Sequence, residues 1–300
     1  MTFLIEPWQW GDWMWRGMLT LNLVAITSAV LGVFLYLRRM SLIADALAHV
    51  ALPGIVMAFL VTGSLDGALM LGGAALVGLF TAVAIEWVSR QPTVRSDAAI
   101  GVVFTALFAL GVILLSTRVR DAHIDTHCLL FGDVLGVSDR ALSLVVWSTP
   151  VVLGLVAIFY RWLSVSSFDA RFALALGVPV AALNYGLMSA VTVTAVAGFE
   201  AVGAVLVIAL IIVPAATAHL LARSLKGMLA VSVGHGIIAS WVGMYLAIGL
   251  NISAAGAVVV AGGALYALAF LFAPGHGRFW RWRRRSLAHR GQHQPLSPPG

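Results

Sequence analysis

Apolar runs of about twenty residues recur along nearly the whole chain, and this feature limits its fold most strongly. A helix of that length crosses roughly 30 Å of hydrocarbon. Of the 300 residues, 61% are hydrophobic and only 10% are charged, values that a soluble domain of this size would not show. The sequence therefore predicts an all-α, polytopic transmembrane helical bundle.

Hydropathy and loop breakers predict about nine spans. They cover residues 17–37, 42–62, 68–88, 97–116, 140–160, 179–197, 201–221, 228–249 and 254–273. An eight-span arrangement stays open, with one segment re-entrant or flat on the membrane, and CLLFGDVLGVS at 128–138 is the best candidate for that segment. We thus expect three regions: an interfacial N-terminal segment (1–16), a transmembrane domain (17–273) and a basic, disordered tail (274–300).

The distribution of basic residues predicts the orientation of these spans. With the first connection in the cytoplasm, the inner side holds eight basic residues in connections and six in the tail, which is 14 of the 18 Lys and Arg residues. Nine spans then place the N-terminus outside and the C-terminus inside. We interpret the tail sequence RFWRWRRRSLAHR as a cytoplasmic anchor against anionic lipid and not as a nucleic-acid surface.

Asp45 and His49 lie within the apolar run MSLIADALAHVALPGIVMAF at 40–59. Four residues apart on an α-helix, they lie about 40° apart and share a face, so they can bind one ion together. An aspartate at mid-membrane costs about 2.5–3.5 kcal/mol on insertion scales, so this pair suggests a functional site. Carboxylate oxygen and imidazole nitrogen without thiols suit divalent Mn, Fe or Zn.

One chain offers only these two ligands at this point, and a two-fold dimer would supply four to a transit site. Two other interpretations stay open: a hydrogen-bonded pair that fastens two helices, and an aspartate in water near the cytoplasmic end of its span. Pro53 and Gly54, which follow directly, loosen the helix in a way that is tolerated where the backbone lines a cavity. Pro214 predicts a kink in the seventh span.

A second group of metal-ligating residues lies in TRVRDAHIDTH at 117–127, which we place outside the membrane. His123, Asp125 and His127 alternate, so in an extended segment their side chains would face the same way. This group could capture a metal at the mouth of the pathway. A solvated polar loop explains the pattern equally well.

The inner connection SVSSFDARFALALGVPV at 164–180 predicts a short amphipathic helix. Phe168, Phe172 and Leu176 have a spacing of four, Asp169 lies near the start, and Gly177 is a stop signal. Such a helix can dock into a groove of a partner protein. The alternative is a helix that lies on the lipid surface.

Several kinds of site are excluded by the residues that the sequence lacks. Cys128 is the only cysteine, so an intramolecular disulfide and a multi-cysteine metal site cannot form. The single lysine, Lys226, lies outside any GxxxxGK[ST] phosphate loop, so an ATP-driven step needs another chain. The sequence has no HExxH zinc-protease motif, and FGDV at 131–134 lacks the upstream glycine of GxGD.

Several stretches of the chain resemble one known family. They are RRMSLIADALAHVALPGIVMAFL, SDAAIGVVFTALFALGVILLS, LFGDVLGVS, FDARFALALGVPV, GFEAVGAVLVIALIIVPAATAHLL and FAPGHG. In this order, over roughly residues 15–277, they are similar to the permease subunits of bacterial ABC importers for zinc and manganese, the ABC-3 family. Among these stretches, D-A-L-A-H-x-x-L-P-G is specific to the family.

The resemblance implies a permease of the bacterial cytoplasmic membrane, related in fold to the cobalamin-type importers, that forms a homodimer or pairs with another permease. A separate ABC ATPase would bind its cytoplasmic face, and an extracytoplasmic protein would deliver the metal. Asp45 and His49 would then form the metal transit site, and the segment from Asp169 to Gly177 would couple to the ATPase. The chain itself would be no enzyme and would hold no permanent cofactor, since the metal is cargo.

The identity of that metal stays open at this stage, because zinc and manganese members share these motifs and some relatives move iron. A gradient-driven secondary transporter of divalent cations, with Asp45 as a proton relay, is the main alternative. An intramembrane hydrolase that uses Asp45 and His49 is disfavoured by the missing protease motifs. The inner amphipathic helix favours the importer, since a gradient-driven carrier needs no ATPase dock.

Overall fold

The computed structural model describes residues 11–63, 67–91, 93–118, 134 and 136–272. These residues form ten helices, which we number in chain order. They are α1 (Asp12–Leu37), α2 (Ile43–Thr62), α3 (Gly67–Ser89), α4 (Ser96–Arg118), α5 (Asp139–Phe168), α6 (Ala170–Ala175), α7 (Val180–Val202), α8 (Ala204–Leu221), α9 (Leu225–Leu250) and α10 (Ala254–Phe272). The predicted all-α bundle is confirmed.

Eight helices in the described part of the chain are long and apolar enough to cross a membrane. They are α1, α3, α4, α5 and α7 to α10. The predicted span that this count leaves out is α2, a 20-residue helix of which the described stretch Pro53–Thr62 is included as a shorter apolar helix. Most of CLLFGDVLGVS, the segment predicted to lie flat, is outside the described residues, as is the basic tail.

Polar contacts define two ends of the bundle, which we name the Arg16 end and the Arg38 end. Arg16 of α1 forms an ion pair with Asp139, the first residue of α5. Arg38 directly follows α1 and donates hydrogen bonds to Ser166 and Ser167 in the last turn of α5. Helices α1 and α5 are therefore parallel.

Helix α2 runs lengthwise through the bundle and carries one acid, Asp45, in its first turn. It begins five residues after Arg38, and α3, which follows it, ends at Ser89 near the Arg38 end. That position of α3 is fixed by Asn184, whose amide donates to Glu86 and accepts from Arg38. Helices α2 and α3 thus form an antiparallel hairpin, and Asp45 lies near the Arg38 end.

Two helix boundaries differ from the predicted spans for a clear reason. Helix α5 continues to Phe168 and not to residue 160, because Arg161 ends the apolar run without breaking the helix. The helix ends only where Asp169 adopts an extended conformation (φ −144°, ψ 98°). Helix α1 begins at Asp12, so residues 12–16 of the predicted interfacial segment belong to the first helix.

Candidate functional site

Asp45 and His49 lie in the first two turns of α2, which begins at Ile43. Their side chains are 47% and 37% exposed in the isolated chain, so both can reach a ligand. Asp45 lies in the first turn of α2, so it is closer to the membrane surface than to the centre of the span. An aspartate that is simply hydrated would also lie at this position. The interpretation as a metal site therefore depends on the geometry of Asp45 relative to His49.

The imidazole of His49 is held by its own helix. Its Nδ1 atom is 3.0 Å from the backbone carbonyl oxygen of Asp45, one turn earlier. A carbonyl oxygen only accepts, so Nδ1 carries the proton in this hydrogen bond, and the lone pair of Nε2 is free to bind a metal. The carboxylate Oδ1 of Asp45 is 3.6 Å from Nδ1, too far for a hydrogen bond, so the carboxylate is also available.

Two aromatic rings of α4 restrict the imidazole further. Phe104 and Phe108 make edge-type contacts with His49, with ring centroids 5.6 and 5.8 Å from the imidazole centroid. These rings form an apolar wall on one side of the histidine. The sequence predicted that Asp45 and His49 share a helix face, and it gave no indication of this wall.

One chain supplies too few ligands for a closed metal site in the part that the structure describes. Those residues contain no group of three or more His, Cys, Asp or Glu side chains that could hold an ion. The predicted outer group, His123, Asp125 and His127, lies outside the described residues. Further ligands at Asp45 and His49 must therefore come from another chain, from water or from residues not described.

The residues that follow His49 pack tightly against neighbouring helices. A Cβ atom on Gly54 would lie 2.6 Å from the Gly73 carbonyl oxygen of α3, and one on Gly111 of α4 would lie 2.6 Å from Pro53. Small residues at these points let the three backbones approach closely. Pro53 and Gly54 are buried in packing contacts, and Pro214 lies inside the continuous helix α8. Their role in a pathway stays a prediction.

The predicted amphipathic helix near Asp169 is shorter than expected. Phe168 is the last residue of α5 and does not belong to the short helix, so the prediction was wrong at that position. The carboxylate of Asp169 caps α6 by accepting from the backbone N–H groups of Arg171 and Phe172, at 3.0 and 2.9 Å. The chain breaks at Asp169 because this capping role requires a non-helical conformation.

Gly177 ends α6 as the sequence predicted. It adopts φ +77°, and the N–H of Val178 donates to the Ala173 carbonyl while that of Gly177 donates to Leu174, both at 3.0 Å. This is a Schellman motif, in which glycine is favoured because other residues are strained at positive φ.

An exposed apolar surface surrounds α6 at the Arg38 end. We call it the α6 surface, and it consists of Phe168 (66% exposed), Phe172 (54%) and Leu176 (60%). Ala173, which follows Phe172, is fully buried and packs α6 against the bundle. Large apolar side chains on a short, capped helix are suited to a groove in a partner protein.

A polar network at the Arg38 end was missed by the sequence analysis. Arg38 donates to Ser167 (3.2 Å), to Ser166 (2.8 Å) and to the Asn184 side-chain oxygen. Asn184 donates to Glu86 at 3.2 Å, and Glu86 also accepts from Arg90 at 3.3 and 3.4 Å.

The two arginines of this network, Arg38 and Arg90, are held by further electrostatic interactions. Burial lowers the pKa of Arg38 to about 10, opposed by the Glu86 carboxylate, so the guanidinium remains protonated at neutral pH. The guanidinium of Arg90 lies 5.1 Å from the ring centroid of Tyr185, within cation–π range. The one signal available in the sequence was an acid, Glu86, within the predicted span 68–88.

Comparison with known proteins identifies the family. The model of the ABC 3 transport family matches residues 11–273, a range that includes every described residue. The chain belongs to the ABC 3 transport family. The resemblance of the D-A-L-A-H-x-x-L-P-G stretch is thereby confirmed, and this ABC 3 permease is a transport subunit, not an enzyme.

Curated relatives are similar over most of their length. The chain is 42% identical over 275 residues to the manganese transport system membrane protein MntD of Bacillus subtilis, covering 85% of this chain and 90% of the relative. It is 40% identical over 266 residues to the zinc transport system membrane protein TroD of Treponema pallidum, covering 85% and 72%.

Two solved structures share the fold of this ABC 3 permease. PsaBC from Streptococcus pneumoniae, in complex with Fab, superposes with a TM-score of 0.79 at 33% identity, covering 93% of this chain and 98% of that chain. A metal-chelate type ABC transporter in an inward-facing conformation superposes with a TM-score of 0.64 at 18% identity, covering 85% and 84%. The second likeness concerns the fold alone.

Proposed function

We propose that this ABC 3 permease carries divalent manganese or zinc across the bacterial cytoplasmic membrane, as the membrane subunit of an ATP-driven importer. The observation that carries the proposal is the pair on α2: the Asp45 carboxylate and the His49 Nε2 atom are both free to bind, while Nδ1 is tied to the backbone. An oxygen and a nitrogen donor suit Mn²⁺ and Zn²⁺. Relatives named for manganese and for zinc support this cargo class.

The second permease subunit in our proposal is a copy of this chain. A two-fold axis near α2 would bring two Asp45 carboxylates and two His49 imidazoles to one ion, which gives four ligands. The two donors of one chain leave a divalent ion short of protein ligands, and the exposed side chains of the pair are consistent with a site completed by a partner. The bound metal is cargo, and we propose no resident cofactor.

We further propose that the Arg38 end faces the cytoplasm. The 14 basic residues assigned to the inner side include Arg38, Arg90 and the arginines of the tail. The α6 surface would then dock with the ABC ATPase, and an extracytoplasmic metal-binding protein would deliver the ion at the Arg16 end. His123, Asp125 and His127 would help to capture the ion there.

Reconstituted transport tests this function directly. The permease, its partner ABC ATPase and an extracytoplasmic metal-binding protein would be assembled in proteoliposomes and supplied with radioactive Mn²⁺ or Zn²⁺. We expect uptake that requires ATP hydrolysis and persists when ionophores collapse ion gradients. The permease alone should hydrolyse no ATP. Uptake that follows a proton gradient and ignores ATP would contradict the proposal and support the secondary transporter.

A further inference from the structure

Arg38 lies between α2, which carries the proposed metal site, and α6, the proposed dock for the ATPase. In one direction along the chain, Asp45 follows seven residues later, in the first turn of α2. In space, its partners Ser166 and Ser167 directly precede Phe168 and α6. The guanidinium therefore joins the start of the metal-binding helix to the base of the proposed ATPase dock.

The connection from Arg38 to α2 is stiff. The N–H of Met40 donates to the Leu35 carbonyl at 2.9 Å and that of Arg39 donates to Tyr36 at 3.0 Å, a second Schellman motif. Arg39 takes the left-handed position at φ +58°, and Met40 is buried. The N–H of Ile43 then donates to the Met40 carbonyl at 3.1 Å, so the turn runs directly into α2.

The Arg38 side chain connects this turn to α5 and α7 through hydrogen bonds. A cavity of about 320 Å³ separates the turn from the junction of α5 and α6, and Arg38, Ser166, Phe168 and Asn184 line it. The Arg38 side chain spans this space and donates to both serines and to Asn184. Through Asn184 and Glu86 the same network reaches α3.

We propose that Arg38 is a positioning residue that couples α6 to the transit site. By tying the inner ends of α5 and α7 to the stiff turn before α2, it passes a displacement of α6 to Asp45. The proposal rests on the proposed function. It predicts that weakening the network separates ATP hydrolysis from transport, because the ATPase would still dock on α6 while α2 no longer follows it.

The test compares the number of ions moved per ATP hydrolysed by the reconstituted complex. Arg38→Lys keeps the charge but replaces three nitrogens that each reach a different acceptor with a single ammonium nitrogen, and Asn184→Leu removes the bridge between Arg38 and Glu86. We expect each variant to hydrolyse ATP and to lower the transport-to-hydrolysis ratio about tenfold, as the loss of one charged hydrogen bond would. The double variant should be no worse than the single ones, since both break one network.

Arg161→Gln is the matched control, because Arg161 is an exposed arginine near the same end of α5 and its loss should leave the ratio unchanged. Thermal stability of the assembled complex is measured in parallel. A fall in hydrolysis, transport and stability together, at a constant ratio, would show that the network only holds the fold, and an unchanged ratio in Arg38→Lys would also overturn the proposal. If the wild-type complex moves neither Mn²⁺ nor Zn²⁺, the proposed function fails instead.

Discussion

His49 follows Asp45 by one helical turn, with its Nδ1 atom 3.0 Å from the Asp45 carbonyl oxygen and 3.6 Å from the Asp45 carboxylate. The helix itself thus orients the imidazole, and the carboxylate does not have to. This arrangement explains how a pair on one helix can stay ready for an ion, because neither ligating atom is occupied by the other side chain.

The aromatic wall beside His49 should tune the affinity for the ion. Phe108→Ala would free one side of the imidazole, and a lost aromatic contact corresponds to about 0.5–1.5 kcal/mol. We expect the half-saturating Mn²⁺ concentration for uptake to rise by about two- to tenfold, at unchanged assembly. Leu110→Ala, on an exposed face of α4, is the control. An equal change in both variants would mean that the wall does not act on the site.

Neighbouring glycines in α3 should respond differently to alanine. At Gly73 a new Cβ atom would lie 2.5 Å from the Gly54 carbonyl oxygen, and the backbone of α2 would have to move. At Gly72 it would meet nothing within 4 Å. We expect Gly73→Ala to lower the melting temperature of the detergent-purified protein, and Gly72→Ala to leave it unchanged or raise it, since alanine favours helix. Equal melting temperatures would contradict the close packing of α2 and α3.

The end of α6 should tolerate only residues that accept a left-handed conformation. Gly177 has open space around it, so a substitution acts through its positive φ and not through a clash. We expect the Gly177→Asn variant to couple ATP hydrolysis to metal uptake nearly as well as the wild type. Gly177→Val or Gly177→Trp should uncouple hydrolysis from uptake without loss of membrane insertion. ATP hydrolysis and uptake by the assembled complex measure this. Normal uptake by the Val and Trp variants would contradict the coupling role of α6.

The start of α6 offers an independent test of the same helix. Asp169→Ala removes the acceptor for two backbone N–H groups, which costs about 1 kcal/mol at a helix N-terminus, whereas Asp169→Asn keeps a capping oxygen. A helix of six residues has little other stabilisation along its own backbone. Binding of the purified ATPase should therefore weaken in the Ala variant and remain in the Asn variant. If both bind equally well, the cap is not needed for docking.

The sequence predicted the helices well where an apolar run ends at a residue that also ends a helix. The predicted spans 42–62 and 254–273 correspond to Ile43–Thr62 and Ala254–Phe272. The fifth span was predicted too short, because hydropathy records where lipid ends and Arg161 does not stop a helix. The shared face of Asp45 and His49 followed from a local spacing of four residues, and the structure confirms it.

Other parts of the candidate site depend on tertiary contacts and leave no local pattern. Arg38 and Asn184 are 146 residues apart, and their hydrogen bond has no periodicity that a sequence would reveal. The wall of Phe104 and Phe108 is likewise set by how α4 packs on α2. Phe168 was assigned to α6 from its spacing to Phe172, but the capping geometry of Asp169 decides the boundary.

The central claim is that Asp45 and His49 bind the transported metal, and uptake by two variants tests it most directly. Asp45→Asn keeps the shape of the side chain but loses the charge that offsets desolvation of a divalent cation, and His49→Ala removes the imidazole nitrogen. Uptake of radioactive Mn²⁺ or Zn²⁺ into proteoliposomes is normalised to the amount of assembled complex, with thermal stability followed in parallel. We predict that each variant abolishes uptake while expression, assembly and stability remain close to wild type. Normal uptake by both variants would contradict the claim, and a loss of uptake that only follows a loss of stability would assign the pair to fastening helices.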